Sequence, residues 1–135
     1  MRLFVAEDGG VSELTHGDQQ IVRVAAPDLQ QARRARARIR AGADDVAVIL
    51  DVTISVAGDF RSARDLPGGS RAEADAETVH YAGTVDGLAG LISDIGSAEV
   101  ADGVTLIAAS PRQDVGTVGR DVLGRLARRA QPRAS

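Results

Sequence analysis

Hydrophobic positions recur along this chain in two alternating rhythms, and the alternation predicts strands followed by helices. The longest period-two run spans 46–57. Val46, Val48, Leu50, Val52, Ile54 and Val56 share one face of it, and Ala47, Ile49, Asp51, Thr53, Ser55 and Ala57 share the other. Apolarity on both faces at its start predicts burial on both sides, as in a parallel sheet. Shorter runs at Leu3–Ala6, Ile21–Ala26, Val79–Ala82 and Asp102–Ala109 predict further strands. The helical rhythm appears three times: Leu29, Ala32, Arg36 and Ile39 within 29–41; Leu88, Leu91, Ile92 and Ile95; and Val115, Val118, Val122, Leu123 and Leu126.

Punctuation agrees with this division. Glu7-Asp8-Gly9-Gly10 reads as a glycine turn after the first strand, followed by one helical turn over Ser12–His16. Asp28, directly after Pro27, is a predicted N-cap, as is Thr84, and Asp114 follows Pro111 into the last helix. Gly42 and Gly96 are predicted helix stops. Residues 57–78, broken by Leu66-Pro67-Gly68-Gly69 and then highly charged, read as a mobile connection with one helical turn at Arg61–Asp65. Residues 131–135 read as a frayed tail. The whole predicts a single α/β domain over 1–135, made of repeated βα units with about four parallel strands. That is either a small open sheet or half of a (β/α)8 TIM-like barrel.

Composition narrows the chemistry. Aromatic residues are only 2% of the chain and Trp is absent, so the core must be built from Val, Leu, Ile and Ala. Cysteine is absent, which excludes disulfides, thiol catalysis and cysteine metal ligands. Every basic residue is Arg, and the formal charge of −3 predicts no global attraction to nucleic acid. The Arg33–Arg40 run could meet phosphates, but it lacks interleaved aromatics, and a solvated helix face is the favoured reading. The apolar start of the chain is too short for a signal peptide and no window spans a bilayer, so a soluble, cytoplasmic protein without membrane contact is expected.

Few residues suggest chemistry, and no complete catalytic constellation emerges. Gly9, Gly10 and Ser12 after the first strand could cradle a phosphate through backbone N–H groups, or could form a plain turn. His16 and His80 are the only histidines, and no third ligand stands at a metal-binding spacing; structural roles are favoured and no metal is expected. Asp51 and Thr53 are polar within an otherwise apolar strand. They are ligand-pocket candidates, against the plainer reading that an Arg or a backbone group satisfies them.

Several stretches, taken in order, resemble the luciferase-like flavin-dependent monooxygenases. His80-Tyr81-Ala82-Gly83-Thr84-Val85-Asp86-Gly87-Leu88-Ala89-Gly90-Leu91 resembles that family's GTP-containing segment. Val100-Ala101-Asp102-Gly103-Val104-Thr105-Leu106 is similar to its last-strand A-x-D-G-F-x-L motif, and the Val- and Leu-rich ending up to Leu126-Ala127-Arg128-Arg129 is similar to its closing helix. Upstream, His16-Gly17-Asp18 with Ile21–Val24, and Asp44-Asp45-Val46-Ala47-Val48, resemble its turns into two earlier strands.

The resemblance implies a (β/α)8 barrel binding FMN or a deazaflavin at the C-terminal ends of its strands, with only the last four strands represented here. It places Gly9, Gly10 and Ser12 where that family has a phosphate-binding loop. Two functions are then expected: a truncated relative of an FMN- or deazaflavin-dependent oxidoreductase, or a non-catalytic ligand- or partner-binding half-barrel. In either case uncovered sheet edges predict a homodimer.

Overall fold

The computed structural model describes residues 1–43, 45–69 and 77–130, with Ala130 described by its backbone. The predicted tail at 131–135 and residues 70–76 of the predicted connection lie outside these. Ten elements follow one another: β1 (Arg2–Glu7), β2 (Gly10–Glu13), β3 (Gln20–Val24), α1 (Leu29–Gly42), β4 (Val46–Val56), α2 (Phe60–Asp65), β5 (Val79–Gly83), α3 (Val85–Ser97), β6 (Gly103–Ala108) and α4 (Val115–Ala130).

The α/β class holds, and the sheet curls into a half-barrel, but it is not built from uniformly parallel βα repeats. The six-stranded sheet is mixed, and its order is β2-β1-β6-β4-β3, with β5 also on β4. In a segment of a (β/α)8 barrel, consecutive strands are neighbours. Here the first strand lies against the last, Leu3 opposite Val104 and Val5 opposite Leu106, in parallel. The reason is the length of β4, which serves three partners. β6 takes one edge along Ile49–Ile54. The other edge is shared end to end, with β3 on Val46–Leu50 and β5 on Val52–Val56.

The antiparallel pair comes from a turn chemistry that the helical reading of Ser12–His16 overlooked. Asp8 and Gly9 have φ of 52° and 76°. Two successive residues with positive φ make the tight turn whose twist suits a hairpin, and Asp-Gly is its common sequence. Val11 and Ser12 therefore pair with Ala6 and Val5 as part of β2.

The predicted caps are in place. Asp28 accepts from the Gln31 N–H at 2.8 Å, Thr84 from Gly87 at 3.1 Å and Asp114 from Thr117 at 3.0 Å. Gly42 is the last residue of α1 and Gly96 lies inside α3, so each of these helices runs about one residue further than expected. Within the predicted connection, residues 57–69 are structured: Asp59 caps α2 through the Ser62 N–H at 2.8 Å.

The three long helices lie on one face of the sheet. Leu3, Val5, Leu50, Val52, Ile54, Val104 and Leu106 pack there with Ala32 of α1, Leu88, Ile92 and Ile95 of α3, and Val115, Val118 and Val122 of α4. The opposite face carries a small separate cluster, Phe4, Ala47 and Ile49 with Ile21. Further along that face, the short helix α2 is held by the Ser55 hydroxyl donating to the Ala63 carbonyl at 2.6 Å. The helix-free part between these two regions is where polar residues collect.

Candidate functional site

Period-two geometry and strand register place the polar positions of the central strands on this second face in layers. The middle layer runs Phe4 on β1, Thr105 on β6 and Asp51 on β4, which are successive register partners. Arg23 from β3 closes it, donating from Nε at 3.1 Å and from NH2 at 3.0 Å to a single oxygen, Oδ1 of Asp51. The plainer reading of Asp51, an Arg partner, is therefore present. The next layer holds Thr53 opposite His80. Thr53 bonds the Thr78 hydroxyl at 2.9 Å. His80 Nε2 lies 2.9 Å from the Gly68 carbonyl, and since a carbonyl only accepts, Nε2 carries the proton. Asp51 and Thr53 thus share a face, two residues apart, each with a partner from another strand or turn.

The carboxyl ends of the parallel strands form a second feature. Beyond β1 and β6, and before α4, lies a crevice of about 490 Å³ lined by Ala6, Glu7, Asp8, Ala108, Ser110, Pro111, Arg112, Gln113, Asp114 and Val115. This is the position at which α/β folds usually hold ligands. The side chains of Gln113, Ser110 and Asp114 are hydrogen-bonded within the protein. Gln113 accepts from the Val56 N–H at 2.6 Å, tying the end of β4 to the approach of α4. The Ser110 hydroxyl accepts from the Arg112 N–H at 3.2 Å. Asp114 caps α4, and the Thr117 N–H that it accepts holds its carboxyl below the ordinary aspartate value. A side chain added at Gly116 would meet the Glu7 carboxylate 3.0 Å away, so a second acid lies over the first turn of the helix, with Arg120 beside it.

This crevice does not fit the phosphate of a flavin nucleotide. Three carboxylates, Glu7, Asp8 and Asp114, line it against one guanidinium, Arg112. The positive end of α4, the natural seat for a phosphate, is already taken by carboxylate oxygens. The residues singled out for phosphate binding stand elsewhere. Gly9 is in the hairpin turn, and Gly10 and Ser12 belong to the exposed strand β2, where Ser12 faces Val5 in the ladder.

The remaining expectations have definite positions. His16 lies in the loop between β2 and β3 and His80 on β5, and among the described residues no three His, Cys, Asp or Glu side chains gather in a way that could hold a metal. The arginine run of α1 is divided. Arg36 reaches Asp102 at 2.9 Å and Arg40 the Val46 carbonyl at 2.7 Å, while Arg33, Arg34 and Arg38 are exposed. No helix among the described residues is long and apolar enough to cross a membrane.

Compared with known proteins, the chain matches no family model and no curated protein.

Thr105 and Arg23 are the members of the polar face that sequence reasoning missed. Thr105 alternates with apolar neighbours in a way typical of any strand, and Arg23 is separated from Asp51 by 28 residues. Only the strand register brings them together.

Proposed function

We propose that this chain is a binding subunit related to the luciferase-like flavin-dependent monooxygenases, acting as a homodimer and not as a self-sufficient oxidoreductase. The observation that carries the non-catalytic part is the acid-lined crevice at the strand ends, whose helix terminus is filled by the protein's own carboxylates. The kinship rests on where the resembling segments fall. Gly83-Thr84 ends β5 and caps α3, Asp102-Gly103 enters β6, and the arginine-tipped closing segment is α4.

The dimer is favoured by surface that the chain leaves unpaired. Among the described residues, the outer edges of β2 and β3 have no strand partner. A recess of about 750 Å³ also lies between α3 and α4, lined in part by Met1, Ile92, Leu123 and Leu126. Uncovered strand edges and apolar recesses are features that oligomers bury.

The catalytic question is tested by titrating the purified protein with FMN and, separately, with a deazaflavin nucleotide while following cofactor fluorescence. The proposal expects no saturable quenching below about 100 μM, because a phosphate entering the crevice meets like charge. One-to-one quenching at low micromolar cofactor would contradict it and support the oxidoreductase reading.

A further inference from the structure

We propose that a concavity at the carboxyl end of β3 binds a small phosphorylated polyol, with the phosphate held by Arg34 and Arg38 of α1. The concavity has a volume of about 330 Å³ and lies between the connection at 25–27 and the side of α1 that carries Gln30, Arg34 and Arg38. β3 runs parallel to β4, so this is a second opening at the carboxyl ends of parallel strands, where α/β folds usually hold ligands. It is separate from the acid-lined crevice and opposite to it in charge. Two guanidiniums line it against one carboxylate, Asp28, whose oxygens already accept from the Gln31 backbone N–H at 2.8 Å and from its side-chain Nε2 at 3.1 Å.

The two arginines are uncompensated. α1 carries five arginines and no acidic residue. Arg36 and Arg40 are engaged, with Asp102 and the Val46 carbonyl. Among the described residues, Arg34 and Arg38 have neither an ion pair nor a side-chain hydrogen bond. They stand at i and i+4, so their side chains share one stripe and lean toward the start of the helix, along the concavity. Like charges one turn apart weaken a helix, and a bound dianion turns that repulsion into attraction. A phosphate monoester is a dianion whose oxygens two planar guanidiniums can fork together. The Gln30 amide, without a partner among the described residues, adds a donor and an acceptor for hydroxyl groups. No lining residue is aromatic, so a nucleobase or a flavin ring finds nothing to stack on. The small volume and the formal charge of −3 favour a small ester over a nucleic-acid strand.

The test follows amide chemical shifts of the labelled full chain during titration with glycerol 3-phosphate, inorganic phosphate and glycerol at fixed ionic strength. With glycerol 3-phosphate, saturable shifts centred on residues 25–38 and half-saturated at about 1 mM or below are expected. Inorganic phosphate should bind several-fold more weakly, and glycerol should give no shifts. Arg34→Gln and Arg38→Gln should each weaken binding about fivefold or more, because each removes a charge-assisted fork. Arg33→Gln, which removes a neighbouring exposed charge outside the concavity, should change it by less than about twofold. All three side chains are exposed and glutamine keeps the helix propensity, so the variants fold. No saturable shifts, equal losses in all three variants, or inorganic phosphate binding as tightly as the ester would overturn the proposal. So would an oligouridylate that displaces glycerol 3-phosphate at micromolar concentration, which would make this face a nucleic-acid surface instead. Flavin quenching bears on the crevice and the non-catalytic reading alone, since this concavity gives a flavin ring no stacking partner, whereas shifts along α1 decide whether the phosphate ester binds.

Discussion

At the scale of single residues, Asp102 shows how much organisation one carboxylate supports. Its Oδ1 accepts from Arg36 of α1 and its Oδ2 from the Val48 N–H of β4, while its backbone carbonyl accepts from Arg2 of β1. Burial alone would push its pKa up. The hydrogen bonds from Arg36 and Val48, with the charges of Arg36 and Arg40, outweigh burial and hold it below the ordinary aspartate value. Asp102→Asn keeps the shape but can satisfy only one of these donors well, so a loss of about 2 kcal/mol in urea unfolding is expected, in the range for hydrogen bonds to charged groups. A midpoint unchanged within error would show that the hub is dispensable.

Glu13 makes a pH-dependent prediction with a definite sign. The Arg2 hydrogen bond, the largest influence, lowers its pKa from 4.5 to about 2, with Thr15 assisting against burial. A carboxylate more acidic in the folded than in the unfolded chain stabilises the fold above the unfolded value, and that stability is lost as pH falls. The loss attributable to Glu13 should therefore run from about pH 4.5 down to about pH 2. Acid unfolding of Glu13→Gln should be flatter across that window. Parallel acid limbs for variant and wild type would remove the Arg2–Glu13 pair from the account. Local features of this kind were partly legible in the sequence: Asp28, Thr84 and Asp114 announce themselves as caps because a cap's partner is three residues away. The arginine partners of Glu13, Asp51 and Asp102 are 11 to 66 residues distant, and no local pattern encodes them.

At the scale of elements, amphipathic periodicity located every long helix and every parallel strand to within about two residues, because burial on one face imposes that rhythm directly. The hairpin was missed for a different reason. β2 is short and mostly exposed, so no apolar alternation marks it, and Asp8-Gly9 was the only local sign. That turn can be probed cleanly, since a Cβ on Gly9 would meet nothing within 4 Å. Gly9→Ala should therefore report the backbone cost alone, about 1 kcal/mol for a left-handed residue, in chemical denaturation. Gly103→Ala should cost more, because its Cβ would sit 2.5 Å from the Arg2 carbonyl, where β1 joins β6. A Gly103→Ala variant as stable as Gly9→Ala would mean that the β1–β6 contact is looser than described.

At the scale of the whole molecule, strand order separates what sequence pattern can convey from what it cannot. Each βα unit is local, but which unit lies beside which depends on β4 accommodating β3 and β5 along one edge, and on β1 finding β6 about a hundred residues later. Periodicity is silent on such pairings. A barrel segment and this mixed sheet present the same alternation of strand and helix. The candidate site shares that fate, since Asp51 and Thr53 could be named from their polarity, whereas the layer joining Asp51 to Thr105 and Arg23 exists only once the strands are in register.

The same architecture places all three long helices on one side and, among the described residues, leaves the outer edges of β2 and β3 without a strand partner and a recess between α3 and α4, the surfaces that the proposed homodimer would cover. A stable pair of this size buries roughly 800 Å² per subunit. Sedimentation equilibrium of the full chain is the most direct test. Across a concentration series at low micromolar protein, the account predicts a mass near twice the 14.0 kDa of one chain. A mass that stays at that of one chain throughout the series would contradict it.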